Sequence, residues 1–174
     1  METLRKIRWP YVLPIFILCC IVIYCWFFYY SPQTIFLVRH ADRVENQDDL
    51  TPAGDIRAAE LARVLGEANI VAIYASQYNR TQETAAPLAN LLGLNVIQYD
   101  ASNLQQLVST VKSNHSGQNV LIVGHSNTVP QTIGLFGISP QPPNIPHDEY
   151  DHMYILTRHS KIRDKLIKLR YGAS

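Results

Sequence analysis

The sequence predicts an α/β protein: a three-layer α/β/α sandwich with a mostly parallel central sheet, preceded by one N-terminal transmembrane helix. Three observations predict it. Short apolar runs rich in Ile, Val and Leu alternate with longer amphipathic stretches, the pattern of strands joined by crossover helices. Two of these runs, TIFLVRHADR (34–43) and VLIVGHSNTVP (120–130), carry a histidine immediately after their apolar part, and strand ends are where α/β sheets place their chemistry. Ahead of both, no charged residue occurs between Trp9 and Tyr30.

That first apolar stretch, PYVLPIFILCCIVIYCWFFYY, is long enough as a helix to cross a hydrocarbon core roughly 30 Å thick. Trp9 and Tyr11 at one end and Trp26, Tyr29 and Tyr30 at the other suit the two aromatic belts of a bilayer. Arg5, Lys6 and Arg8 precede it and no basic residue follows until Arg39, which places the N-terminus in the cytoplasm. The expected division is a cytoplasmic tail over 1–8, a transmembrane anchor over 9–30 and a globular domain over 31–174. The expected location is the cytoplasmic (inner) membrane, single-pass, with the domain on the periplasmic or extracellular side. A cleaved signal fits less well, because no A-x-A-like site follows and bulky Ile17 and Leu18 precede Cys19 and Cys20. All three cysteines, Cys19, Cys20 and Cys25, fall in this stretch, where they read as small apolar filling. The globular part therefore has neither a disulfide nor a thiol nucleophile.

Roughly 140 residues remain, the common size of one domain. The elements alternate: strand 34–38, helix 52–66, strand 71–75, helix 80–92, strand 95–99, helix 104–114, strand 119–123, helix 128–136. Thr51 reads as the N-cap of the first of these helices with Pro52 at its first position, and Leu61, Val64 and Leu65 form its apolar face. Segments 153–157 and 161–171 read as a terminal hairpin. Between the last helix and the hairpin lies SPQPPNIPHDEYD (139–151), whose four prolines forbid regular structure. It reads as a loop over the active site or, more readily, as a stiff connection. Hydrophobic residues make up 47% of the chain and the net charge is +1, a balance that gives no sign of disorder or of a nucleic-acid partner.

The two histidine motifs point to anion chemistry. A neutral imidazole can attack phosphorus when fixed cationic donors spread the charge of the phosphoryl oxygens. Arg39 beside His40 supplies one donor, and its planar fork suits phosphate better than lysine would. ASQYNRTQETA (75–85) follows another apolar run and carries Arg80 at the start of a helix, aimed at the same sheet edge. His125 sits where the next helix opens, a place that favours an anion.

RHA at 39–41, SxxxRTxxTA at 76–85 and GHS at 124–126, with LTPAG at 50–54 between the first two, resemble the histidine phosphatase (phosphoglycerate mutase-like, branch 1) superfamily. The resemblance implies that His40 becomes a phosphohistidine, that Arg39, Arg80 and His125 form the phosphate pocket, and that no metal or other cofactor is used. The chain departs from that family in having Ala41 where many members have glycine. It also lacks the glutamate that protonates the leaving group shortly after the third strand of mutase-like members. Asp100 is the nearest carboxylate, Asp42 a rival, and Glu83 a weaker third that stands one helical turn from Arg80 and could brace it. Without a carboxylate in reach, substrates with good leaving groups would be favoured.

The other four histidines, His115, His147, His152 and His159, read as surface or loop residues. His40 and Asp42 form an H-x-D pattern, but no further cluster completes a zinc ligand set. Arg43 is either a donor to a distal part of the substrate or a salt-bridge partner of Asp42 or Glu45. Ser126 could donate to phosphate, although Ser126 and Asn127 read more readily as helix caps. The expected function is a membrane-anchored phosphatase that hydrolyses phosphomonoesters or related compounds through a phosphohistidine. The alternative is a non-catalytic anchored module that binds phosphate groups. Its partners would be a phosphorylated small molecule, glycan or protein substrate and, through residues 9–30, the membrane.

Overall fold

The computed structural model describes residues 9–30, 32–159 and 164–172, with the side chains of the first helix described over 12–24. The chain divides into two units, residues 1–31 and 32–174. The first holds helix α1 (Trp9–Tyr30).

The transmembrane anchor expected here is overturned. Among the described residues no helix is long and apolar enough to cross a membrane. The single-pass inner-membrane location and the membrane partner through 9–30 lose their basis with it. Arg5, Lys6 and Arg8 lie outside the described residues, as do the side chains of the aromatic residues expected at the interfaces and of Cys25. Cys19 and Cys20 carry free, exposed thiols.

The second unit is the α/β fold, built on one six-stranded mixed sheet. In chain order its elements are β1 (Gln33–Arg39), α2 (Pro52–Leu65), β2 (Ile70–Ser76), α3 (Asn79–Leu92), β3 (Val96–Tyr99), α4 (Leu104–Asn114), β4 (Asn119–Gly124), α5 (Thr128–Leu135), β5 (His152–Arg158) and β6 (Lys165–Arg170). The sheet order is β3-β2-β4-β1-β5-β6. The first four strands of that order are parallel, and β5 and β6 continue it antiparallel. The hairpin segment expected over 161–171 begins in residues outside the described set, and its strand is described from Lys165.

Alternation along each buried strand sends its residues to two cores, one on each face of the sheet. Ile35 and Leu37 of β1 join Val120, Ile122, Tyr154 and Leu156 against Leu107, Val111, Val129 and Ile133 of α4 and α5. Phe36 and Val38 join Leu121, Val123 and Met153 against Leu61, Leu65, Ala85 and Leu88 of α2 and α3. The helices that follow the neighbouring strands β1 and β4 thus lie on opposite faces. The crevice that opens at the carboxyl ends of such a strand pair is the usual ligand site of an open α/β sheet. Register brings Arg39 level with Gly124, and Ala75 level with Val123.

Candidate active site

The chemistry-bearing residues gather at the carboxyl ends of the strands: Arg39 closes β1 and His40 follows it, His125 follows β4, and Arg80 lies in the first turn of α3. The His40 backbone N–H donates to Gly124 O at 2.9 Å, so the β1–β4 ladder continues one residue past Arg39 and holds the histidine at the sheet edge. Ala41 N–H donates to Thr84 Oγ1 at 2.9 Å, and that hydroxyl in turn donates to Arg80 O at 2.6 Å. The threonine of the TA pair therefore ties the histidine loop to the helix that carries Arg80. The next turn is anchored as tightly: Thr51 N–H donates to Asp42 O at 2.9 Å, and Thr51 Oγ1 caps α2 by accepting from Gly54 N–H. A Cβ on Gly54 would meet Asp42 O at 2.2 Å, so only glycine lets α2 start against this backbone.

His40 is 3% exposed. Its Nδ1 lies 2.8 Å from Ala41 O, and a carbonyl can only accept, so Nδ1 carries the hydrogen and Nε2 the lone pair. Burial, followed by the positive charges of Arg39, His125 and Arg80, pushes its pKa down to about 3. The ring is neutral at pH 7.

Proton counting fixes His125 as well. Thr81 Oγ1 has one hydrogen, with Tyr78 O at 2.7 Å and Ser76 O at 3.0 Å, so its oxygen is left to accept from Ser76 Oγ–H at 2.9 Å. Ser76 Oγ then accepts from His125 Nε2–H at 2.9 Å. That leaves His125 Nδ1 bare, and Arg80 Nη2 donates toward it from 3.4 Å. Burial and Arg80 lower the His125 pKa to about 4. The two imidazole rings lie 5.5 Å apart.

Arg39 is 2% exposed, yet among the described residues it has no carboxylate partner. Its Nη1 donates to Pro146 O, His147 O and Glu149 O, each at 2.9 Å, and its guanidinium lies 4.0 Å over the Tyr150 ring. Nε has no protein partner. Arg80 is held differently, with Nη1 on Asp48 Oδ1 and the guanidinium 4.5 Å over the Tyr78 ring. Partial burial works to raise the Asp48 carboxyl, but the Asn79 N–H and the Arg80 charge outweigh it and hold it below the usual carboxylate range.

Arg39, His40, Arg80 and His125 line one cavity of about 460 Å³, together with Arg43, Gln77, Tyr78, Ser102, Ser126 and His147. The two imidazoles and the two guanidinium groups thus share the wall of one cavity.

Residues 35–103 match the family model of the histidine phosphatase superfamily (branch 1). That part of the chain is similar to the superfamily. The match takes in His40 and Arg80 and stops short of the strand that delivers His125. No curated protein matches the chain. Among solved structures, the mycobacterial glucosyl-3-phosphoglycerate phosphatase is 16% identical with a TM-score of 0.62, covering 78% of this chain and 97% of its own. The protein histidine phosphatase SixA in complex with tungstate is also 16% identical, with a TM-score of 0.57 and coverage of 79% and 96%. The phosphoglycerate mutase of Plasmodium falciparum is 19% identical, TM-score 0.57, covering 80% and 91%. These similarities establish a histidine phosphatase fold.

The carboxylates expected as proton donors are not in the cavity wall. Asp100 is exposed and accepts from Ser102 N–H and Oγ–H, each at 2.8 Å, bonds that hold it below its ordinary value. Asp42 pairs with Arg57 at 2.6 Å, which also takes it from Arg43. Glu83 accepts from Leu50 N–H at 2.9 Å and so braces the LTPAG turn rather than Arg80. Arg43 and Ser126 do line the cavity, with Arg43 Nη1 donating to Gln47 O. Asn127 makes no side-chain cap to α5. The histidine motif is steadied instead by Thr128 Oγ1, which accepts from His125 N–H at 2.8 Å.

Several site residues escape sequence reasoning. The segment over 139–151, expected more readily as a connection than as an active-site loop, supplies the three carbonyls that grip Arg39, the ring of Tyr150 and the His147 wall. An aromatic amid acids after a proline run was its one local signal. Asp48 carries no signal, since nothing near it in sequence says it will face Arg80. His152, expected at the surface, is 1% exposed and lies beside Glu149. Among the described residues, Glu149, Asp151 and His152 are the group that could hold a metal, with ligand atoms within 4.8 Å of one another. Arg170 already pairs with both carboxylates, at 2.9 and 2.8 Å, and supplies their counter-charge.

Proposed function

We propose that this chain is a phosphatase that works through a phosphohistidine on His40. What supports the reading above all is the His40 tautomer: its bond to Ala41 O leaves the Nε2 lone pair as the nucleophile, in a cavity shared with two guanidinium groups. Nε2 forms a bond to phosphorus while the bond to the leaving group breaks. Arg39 and Arg80 stabilise the charge spread over the non-bridging oxygens. His125, with Nδ1 bare toward Arg80, shares a proton with the bound phosphate and serves as a third contact. Water then attacks phosphorus, the Nε2–P bond breaks, its electron pair returns to the ring, and inorganic phosphate leaves. Arg43 and Ser126 are placed to contact the rest of the substrate. The guanidinium groups supply the electrophilic assistance that a metal would otherwise give, so the reaction runs without one.

The test uses the full chain and p-nitrophenyl phosphate. The expected outcome is turnover that survives EDTA, together with an acid-labile phosphoenzyme after quenching, both lost in His40→Asn. Turnover retained in His40→Asn ends the proposal. Tight vanadate binding with no turnover and no phosphoenzyme supports a phosphate-binding module instead.

A further inference from the structure

Where the proline-rich segment runs into β5, a second polar cluster stands apart from the phosphate chemistry. Glu149, Asp151 and His152 each bring a ligand atom to within 4.8 Å of the other two. The member that sets this cluster apart from an ordinary acidic patch is His152. Its ring is 1% exposed, and neither nitrogen has a hydrogen-bond partner, although Nε2 comes within 2.5 Å of Glu149 Oε2 and 3.9 Å of Asp151 Oδ1. Burial, then the charge of Lys168, pushes its pKa below the ordinary value. The ring is therefore neutral at pH 7 and offers a lone pair. A buried imidazole left without a hydrogen bond, aimed at two carboxylates, calls for an occupant.

Arg170 does not fill that role. Its guanidinium meets Glu149 at 2.9 Å and Asp151 at 2.8 Å, but it leaves His152 unsatisfied, and its side chain is 58% exposed. It can swing into water, whereas Asp151 and His152 stay buried. One imidazole nitrogen with two carboxylate oxygens is the donor set of a borderline cation such as Zn²⁺, which in an open site takes three protein ligands and a water. Mg²⁺ and Ca²⁺ prefer shells made of oxygen alone. Tetrahedral bonds of about 2.1 Å set ligand atoms about 3.4 Å apart, a spacing that small side-chain rotations reach from here. A cavity of about 360 Å³ lined by Glu149, His152, Tyr154, Lys168 and Arg170 gives the way in. Lys168 in that wall opposes a cation and keeps the affinity moderate.

We propose that Glu149, Asp151 and His152 form a binding site for a divalent cation of the zinc type, which takes the place of the Arg170 guanidinium. Glu149 also gives its backbone carbonyl to Arg39 at 2.9 Å, and Tyr150 next to it stacks on the same guanidinium. A cation here fixes the end of the segment that grips Arg39. Its effect falls on stability, and turnover does not require it.

The experiment titrates the metal-stripped full chain with ZnCl₂, MnCl₂ and MgCl₂ by calorimetry and follows Tm. Expected are one Zn²⁺ bound at this cluster with a Kd of about 1–100 μM and a Tm raised by several degrees at saturation, a smaller rise with Mn²⁺ and none with Mg²⁺. Glu149→Gln and His152→Gln should weaken Zn²⁺ at least tenfold, and Arg170→Gln should tighten it about tenfold by removing the competitor. The bare nitrogens of His40 and His125 are the other place where zinc could settle, so His40→Asn should leave this binding unchanged. Where His152→Gln does not fold, Glu149→Gln and Arg170→Gln decide. Absence of saturable Zn²⁺ binding overturns the proposal. So does binding that Glu149→Gln leaves untouched, or an Arg170→Gln variant that binds no more tightly than the parent.

Discussion

Two arginines reach the same cavity and are kept there by opposite means. Arg80 is paired with a carboxylate, that of Asp48, so its charge is already matched at rest and an arriving phosphate must compete for it. Arg39 is buried among three carbonyl oxygens and the face of Tyr150. Carbonyls orient a guanidinium without cancelling its charge, so Arg39 keeps its positive charge at the cavity, with Nε unpaired among the described residues. The difference teaches that one residue can serve as an adjustable clamp while the other is a fixed electrostatic post. The post also ties the segment over 139–151 to the sheet edge, so it couples catalysis to stability, and the clamp does not.

The comparison breaks most visibly at Arg39. Arg39→Ala is expected to lower kcat/KM by about 10³-fold or more, since it removes a preorganised cation, and to lower Tm by several degrees, because three backbone carbonyls lose their donor. Arg39→Lys recovers little, as one ammonium cannot satisfy the loop and face phosphate together. Unchanged Tm in Arg39→Ala would remove the structural half of the contrast. Arg80→Ala is expected to cost about 10²–10³-fold in kcat/KM with Tm nearly unchanged. A smaller effect follows at Tyr150, where Ala should lower kcat/KM about tenfold, because it removes the ring stacked on Arg39. Smallest is Asp48→Asn, expected to lower KM a few-fold at low salt with kcat little changed, since a competitor for Arg80 is removed. A raised KM would show that Asp48 orients Arg80 more than it competes.

Both halves share a pH dependence. His40 and His125 are held down to about 3 and about 4 in the folded protein, below the ordinary 6.5. Between those values the unfolded chain binds protons that the native state refuses, so stability falls as pH is lowered from about 6.5 toward 4. Calorimetric scans should show Tm dropping over this window, less steeply in His40→Asn. A Tm independent of pH there would mean that the rings charge freely in the native state.

How much of this was legible in the sequence depends on how local the cause is. The element order was readable from periodicity, and Thr51 with Pro52 as the start of α2 from capping chemistry, because each is decided within a turn or two of chain. His40 and His125 were readable because an apolar strand that ends in an imidazole has few other uses. Proximity to a strand end said nothing of where the Asp100 carboxylate finds its donors, which are the N–H and hydroxyl of Ser102, two residues away. The anchor over 9–30 was read from hydropathy, flanking charge and terminal aromatics, and among the described residues no helix is long and apolar enough to cross a membrane.

By itself the sequence determined an α/β sheet with two imidazoles and two guanidinium groups near its strand ends, since period and residue type follow from the chain's own order. Tertiary structure alone decided which histidine nitrogen carries its proton, that Asp48 meets Arg80 and that residues 146–149 grip Arg39. These depend on oxygen atoms brought within 3 Å across separations of up to a hundred residues and more, and no local pattern encodes them.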